Sequence, residues 1–127
     1  MEKVLEFRQF TQEYLTAPIP NPSKPDEIIN VKLNKPTERV KILSAAATMK
    51  QLEIKEKMDK NEEYSTEEQL EFIELLEDLT LSILNNNRQG LVFDLTYVNT
   101  YFSDVENMSI LIAGMTEFIN KLAERKN

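Results

Sequence analysis

The chain has 127 residues, 41% of them apolar, and 22 acidic against 15 basic side chains give it a net charge of −7. It contains neither cysteine nor histidine, which excludes disulfide frameworks, thiolate nucleophiles, imidazole bases and thiolate zinc sites. Its two glycines are too few for a glycine-rich phosphate loop. The length predicts one folded domain, for which we expect no cofactor. The residues left for any catalysis are carboxylates, lysines, tyrosines and hydroxyls, with oxygen-ligated magnesium or calcium.

The chain also lacks the signals of export and of nucleic-acid binding. No apolar run approaches the roughly 18 residues of a membrane span, and the start, MEKVLEFRQF, has no apolar block typical of a secretory signal. Residues 61–127 carry thirteen acidic and four basic side chains, against nine and eleven in residues 1–60. Such an acidic half repels phosphate. We expect a cytoplasmic protein with no membrane or nucleic-acid partner.

The first 35 residues form an arm. Four of the five prolines lie between Pro18 and Pro25, where fixed backbone angles and missing amide donors favour a loop or linker. The following IINVKL (residues 28–33) predicts a short strand, and the preceding VLEFRQFTQEYL (residues 4–15) fits either a strand or a helix. A small hairpin or paired arm is left open as an alternative. This divides the chain into an arm with a Pro-rich loop, residues 1–35, and a helical domain, residues 36–127.

A first helix is predicted from Pro36, which suits a first helical turn, to about Met58. Its apolar stripe follows the helical spacing of three or four residues. The members of this predicted stripe are Val40, Leu43, Ala47, Met49 and Leu52.

A second helix begins at Ser65 or Thr66, because Ser65–Glu68 and Thr66–Gln69 both fit the spacing of a capping box. Its apolar stripe comprises Leu70, Ile73, Leu76, Leu79 and Ile83, widened by Phe72, Leu75 and Leu84. Its acids recur on the opposite face at Glu67, Glu71, Glu74 and Asp78. Ionised carboxylates are rarely buried, so this face predicts a solvated surface rather than an acid–base pair.

The remaining sequence predicts a turn, a short helix and a last long helix. Asn85, Asn86, Asn87 and Gly90 tolerate left-handed backbone angles and so end the second helix. In GLVFDLTYVNTYF (residues 90–102), LVF suits a brief extended piece and Asp94 or Thr96 suits a cap. Ser103 with Glu106 fits a capping box for the last helix, in which Gly114 suggests close approach of another backbone or a tolerated weak point.

Together these elements predict a mainly α fold: a small bundle of three to four helices with an N-terminal irregular or short-strand arm. The apolar stripes are wide for a small bundle, so self-association or a protein partner is expected to cover the surplus. The candidate protein-binding residues are Tyr97, Tyr101, Phe102, Met108, Leu111, Ile112, Met115 and Phe118. Packing in the core is the competing interpretation of each.

The order of these features resembles the tail assembly chaperones of long-tailed bacteriophages and prophages of Gram-positive hosts. The resemblance rests on YSTEEQLEFIELLEDLTLSILNNN (residues 64–87), the aromatic link FDLTYVNTYF (residues 93–102) and the amphipathic last helix, within residues 36–127. It implies a non-enzymatic protein that binds the tape measure protein, helps to recruit tail tube subunits and forms homo-oligomers in the host cytoplasm.

Two other classes fit the same composition. A small acidic regulatory adaptor or inhibitor protein would also be helical and free of cysteine. A carboxylate-dependent hydrolase could use magnesium through Glu67, Glu71, Glu74 or Asp78. The first alternative would show an early or toxin-adjacent gene position, and the second a specific divalent-cation site.

Overall fold

The computed structural model describes residues 14–63 and 65–125. Its elements are β1 (Tyr14–Asn21), β2 (Lys24–Asn34), α1 (Glu38–Asp59), α2 (Thr66–Asn85), α3 (Leu95–Tyr101) and α4 (Val105–Arg125). The prediction of a mainly α protein with an N-terminal strand-containing arm is therefore confirmed. Residues 4–13 of the stretch that fits either a strand or a helix lie outside the described residues, whereas Tyr14 and Leu15 belong to β1.

Residues 18–21 and 24–25 of the proline-rich stretch lie in strands, so its interpretation as a loop or linker was wrong. The alternative of a small hairpin is confirmed. β1 pairs antiparallel with β2, with Pro18 opposite Asn30 and Pro20 opposite Ile28. Residues two apart in a strand direct their amide nitrogens to the same side. Both prolines therefore direct theirs to the outer edge of β1, where no ladder bond is lost. Only Pro22 and Ser23 form the turn.

The hairpin shares its core with the helices. Ala17, Val31 and Leu33 belong to the same buried cluster as Leu79 and Ile83 of α2. The outer edge of β2 is joined to the loop that follows α2, because the Asn34 N–H donates to the Asn86 carbonyl and the Arg88 N–H to the Lys32 carbonyl, both at 2.9 Å. The hairpin is thus docked along both its face and its edge.

Side-chain caps begin α1, α2 and α3. At α2 the Ser65–Glu68 capping box is present, which confirms one of the two predicted boxes. At α3 the Asp94 carboxylate accepts from the Tyr97 N–H at 2.9 Å, so that Asp94, and not Thr96, is the cap. At α1 the cap is Thr37, so that Pro36 precedes the helix instead of lying in its first turn.

The predicted cap of α4 was wrong by one residue. The Asp104 carboxylate accepts from the Asn107 N–H at 2.7 Å, and its carbonyl accepts from the Met108 N–H. Asp and Ser both serve well as N-caps. Spacing alone therefore does not choose between Ser103 and Asp104.

The three asparagines at the end of α2 form hydrogen bonds through their side chains and do not adopt left-handed backbone angles. Asn85 accepts from the Phe93 N–H at 2.7 Å and donates to the Phe93 carbonyl at 3.0 Å. Asn87 donates to the Leu84 and Leu91 carbonyls at 2.8 Å. Of the residues predicted to be left-handed, only Gly90 has a positive φ, 70°. These bonds join residues 91–93 to the end of α2, and the described structure places those residues in no strand.

The core is centred on α2, against which both α1 and α4 pack. The buried residues of α2 are Leu76, Leu79, Thr80, Ile83 and Leu84. The Thr80 hydroxyl donates to the Leu76 carbonyl at 2.7 Å, which satisfies the one polar side chain in this group. None of the helices within the described ranges is long and apolar enough to cross a membrane.

Candidate protein-binding surfaces

Three of the eight predicted protein-binding residues lie in the core. Tyr97, Met108 and Met115 have exposed fractions of 6%, 3% and 1%. The two methionines face inward one heptad apart on α4, and Tyr97 packs on Phe93 with ring centroids 4.8 Å apart. In this conformation the three side chains are not accessible to a partner.

Tyr97 ties α3 to the hairpin. Its hydroxyl donates to the Pro20 carbonyl at 2.6 Å, and its ring lies 4.8 Å from that of Tyr101. Burial, with a smaller contribution from Tyr101, raises the pKa of Tyr97 from 10.0 to about 12. A neutral phenol held by an acceptor in the interior is a structural contact, because it has neither a base nor a cation to activate it.

The other five predicted residues are half-buried against the core: Tyr101, Phe102, Leu111, Ile112 and Phe118. Tyr101, Phe102 and Leu111 line a cleft between β1 and α4. Ile112 lines a second groove, between α1 and α4, whose floor is formed by Phe72 and Leu76 and whose volume is about 460 Å³. Phe118 packs against the core and lines neither depression. The predicted residues therefore do not form one surface.

The most exposed helical apolar surface lies on α1, outside the predicted set. Ile42, Met49 and Leu52 have exposed fractions of 66%, 64% and 57%, and Ala45 between them is also exposed. Their spacing is that of successive a and d positions in a heptad, so they form one line along the helix. We call this line, Ile42, Ala45, Met49 and Leu52, the α1 outer stripe.

A second apolar stripe of α1 faces the core. Val40 and Ala47 are buried, and Leu43 and Ile54 are half-buried. Ile42, Ala45 and Met49 each follow an inner position by two residues, and Leu52 precedes Ile54 by two. Two residues correspond to about 200° around a helix. The two stripes therefore lie on opposite faces of α1.

The predicted single stripe of α1 was thus wrong in part. Met49 and Leu52 do not continue the line of Val40, Leu43 and Ala47 into the core. The signal that could have separated them is the repeated pair of apolar residues two apart, in V-x-I at 40–42, L-x-A at 43–45 and A-x-M at 47–49. An ordinary amphipathic helix has one apolar face only.

Three ion pairs join α1 to α2. Arg39 contacts Asp78 at 3.0 Å, Lys50 contacts Glu71 at 3.8 Å, and Lys57 contacts Glu68 at 2.6 Å. All the cations come from α1 and all the carboxylates from α2, in antiparallel order. Exposed pairs each contribute little free energy, but together they favour one register over its neighbours.

The Lys57–Glu68 contact is the shortest of these pairs. Each side chain is about a third exposed, at 33% and 30%. The hydrogen bond with Glu68 raises the pKa of Lys57, and the same bond lowers the pKa of Glu68. Glu68 also accepts from the Ser65 N–H in the capping box. It therefore joins the start of α2 to the end of α1.

The acids of α2 lie where their spacing predicts. Glu67, Glu71, Glu74 and Asp78 are exposed, and two of them face cations of α1. Among residues 14–63 and 65–125, no three Asp or Glu residues are grouped so that they could hold a metal ion. This face is arranged for solvation and ion pairing with α1.

Comparison of the chain with protein families, curated proteins and solved structures gave no match. Functional conclusions therefore depend on the geometry of these surfaces and on the resemblance stated above.

Proposed function

We propose that this protein is a non-enzymatic phage tail assembly chaperone that binds the tape measure protein and helps to recruit tail tube subunits. The observation that carries the proposal is the α1 outer stripe, an apolar line on the solvent side of a helix whose other apolar face already packs on α2. A chaperone of a long helical client needs such a face. The resemblance of residues 36–127 to tail assembly chaperones supplies the identity of the client.

The dimensions of the stripe suit one amphipathic helix. From Ile42 to Leu52 it extends about 15 Å at 1.5 Å per residue, or three turns. Glu38 and Glu56 lie four residues beyond its two ends, on the same helical face. A client segment with three apolar turns bordered by lysine or arginine would complement both the apolar line and its acidic ends.

Burial of the α1 outer stripe against a client would favour binding. Transfer of a large aliphatic side chain from water contributes about 1.5–3 kcal/mol, and three of the four stripe residues are more than half exposed. The acidic exterior of residues 61–127 would keep a complex with an aggregation-prone client in solution. Under this proposal the protein acts in the host cytoplasm as a homo-oligomer, without a cofactor, nucleic acid or membrane.

Co-expression with tape measure fragments tests the proposal. We expect the wild-type chain to co-purify with a helical fragment and the Met49→Glu, Leu52→Glu double variant to lose it, because two carboxylates in the stripe cannot be desolvated. The matched control is Val92→Glu, a substitution of an apolar residue that is 81% exposed outside α1. Circular dichroism of all three proteins should be alike.

Two outcomes would contradict the proposal. Equal retention of the fragment by the wild-type chain and the stripe variant would remove the stripe from the binding surface. Failure of every tape measure fragment to bind the wild-type chain would instead favour the acidic regulatory adaptor. The position of the gene relative to a tape measure gene would provide an independent check.

A further inference from the structure

The loop after α2 runs beside β2 as a very short third strand. Leu33 of β2 forms an isolated antiparallel bridge with Asn87. The Arg88 N–H donates to the Lys32 carbonyl at 2.9 Å, as it would in a regular ladder. In such a ladder the Lys32 N–H would return the bond to the Arg88 carbonyl. The Lys32 N–H has a different partner in this structure.

A side chain takes the place of the backbone at this point. The Lys32 N–H donates to Oε1 of Gln89 at 2.9 Å, and Nε2 of Gln89 donates to the Asn30 carbonyl at 3.0 Å. A primary amide offers a carbonyl oxygen and an N–H, as a peptide group does. The two bonds also determine the orientation of the amide, because Lys32 offers a donor and Asn30 an acceptor. Gln89 therefore extends the ladder by one step.

Gly90 is the residue at which the chain turns away from β2. Its φ of 70° lies in the left-handed region, which glycine adopts without steric cost. In a continued ladder the Gly90 N–H would bond to the Asn30 carbonyl, and the Gln89 amide replaces that bond. A Cβ at either of the two glycines would meet no described heavy atom within 4 Å. Gly90 is thus required for its angle, and the close approach of a backbone suggested at Gly114 is not found among the described residues.

The two outer edges of the hairpin are both poor sites for a further strand. An edge strand can pair with another chain, because its outward N–H and carbonyl groups are available for a second ladder. On β1 the outward positions include Pro18 and Pro20, which have no N–H to offer. On β2 they include Lys32 and Asn30, which are bonded to Gln89. We propose that Gln89 blocks the edge of β2 against pairing with β2 of a second copy of this chain.

The sequence of β2 explains why a second copy is the strand to be blocked. Residues 28–32, IINVK, are rich in β-branched side chains, and Ile28 is 63% exposed. Two antiparallel copies of β2 centred on Asn30 would place each Lys32 opposite Ile28 of the other copy and diagonal to its Asp26. Side chains on such a diagonal can interact, and these two have opposite charges. Without the Gln89 amide, nothing in this charge pattern opposes the pairing.

Gln89→Ala tests the proposal, with Gln69→Ala at an exposed position of α2 as the matched control. In dilute solution we expect hydrogen exchange of the Lys32 amide to be roughly fivefold faster in Gln89→Ala than in the wild-type chain, because one hydrogen bond is lost. Gln69→Ala should leave this rate unchanged. Nuclear magnetic resonance measures the exchange of this single amide.

At high concentration we expect Gln89→Ala to associate more than the wild-type chain, with renewed protection of the Lys32 amide. Adding Asn30→Pro should suppress this extra association. Residue 30 directs its N–H to the outer edge, so a proline there removes no bond to β1 but prevents continuation of a ladder. Light scattering measures the association, and circular dichroism verifies that each variant is folded.

Two results would overturn the proposal. The first is equal exchange of the Lys32 amide in the wild-type chain and Gln89→Ala. The second is association of Gln89→Ala that does not exceed that of Gln69→Ala, or that remains after Asn30→Pro is added. Both measurements concern the hairpin and use no client, so they leave the proposed function to its own test.

Discussion

α1 and α4 are helices of nearly equal length that pack on the same central helix, yet they use their apolar residues differently. On α4 most of them form one broad face against the core, including Met108 and Met115, whereas Ile110 is 65% exposed. On α1 they form two narrow faces, one against α2 and one in solvent. A broad single face needs no partner to explain it, whereas a second face opposite the first has no use within the fold. Among the described helices, the most exposed apolar line is therefore on α1, although the sequence directed attention to α4.

Two methionines allow the sharpest test of this contrast. Met115 is 1% exposed and Met49 is 64% exposed. We expect Met115→Ala to lower the free energy of unfolding by about 2–5 kcal/mol, since it leaves a cavity in the core. Met49→Ala should change it by less than about 0.5 kcal/mol. Urea denaturation of both variants measures the difference, and equal losses would contradict the assignment of the two faces.

Tyr97 tests how firmly the segment that leads into α4 is attached to the hairpin. Tyr97→Phe should lower stability at neutral pH by about 1 kcal/mol, because it removes the hydrogen bond to the Pro20 carbonyl. The folded pKa of about 12 exceeds the ordinary 10.0. The resulting stabilisation is complete below pH 10 and is lost as the pH rises through 12. Denaturation curves at several alkaline pH values should show the wild-type advantage shrinking; a constant advantage would contradict the burial of this phenol.

Glu68 tests the ion pairs that hold α1 on α2. Its folded pKa lies below the ordinary 4.5, so its contribution is present above pH 4.5 and is lost as the pH falls through the folded value. We expect the stability of the wild-type chain and that of Glu68→Gln to converge in acid. Glu67→Gln, in the same turn, controls for the change in charge. If the two stabilities still differ in acid, the ion pair with Lys57 is not the cause of the difference.

The smallest effect is expected from the outer acids of α2. The double variant Glu71→Gln, Glu74→Gln should change the free energy of unfolding by less than about 0.5 kcal/mol, since exposed carboxylates contribute little. Chemical denaturation and client co-purification together check this. A loss of several kilocalories per mole, or of all binding, would return these acids to the list of functional residues.

Much of the fold was accessible from local patterns. The Ser65–Glu68 box, the Asp94 cap and the approximate bounds of α1, α2 and α4 follow from short-range rules, because caps and helical stripes depend on residues within one or two turns. The strand at residues 28–33 was also predicted. The proline-rich stretch that pairs with it was interpreted as a loop. Prolines at alternate positions are excluded from the middle of a sheet but allowed on an outer edge, and the sequence does not say which strand has an outer edge.

The candidate sites were harder to predict, for a different reason. Periodicity shows that a helix has an apolar face, but it does not show whether that face is covered. Met108 and Met49 have the same chemistry and both lie on helical stripes; one is buried and the other exposed only because α2 covers one side of each helix. The asparagines after α2 present the same difficulty, since their side-chain bonds reach Phe93 and Lys35, eight and fifty-one residues away.

By itself the sequence determined the helical class, the approximate helix starts, the solvated acidic face and the absence of thiol and imidazole chemistry. These depend on composition and on neighbours along the chain. The tertiary structure decided which apolar residues remain in solvent, where the clefts lie and what Gly114 faces. Those properties depend on the relative placement of α1, α4 and the hairpin around α2, which is set by contacts between residues far apart in the chain.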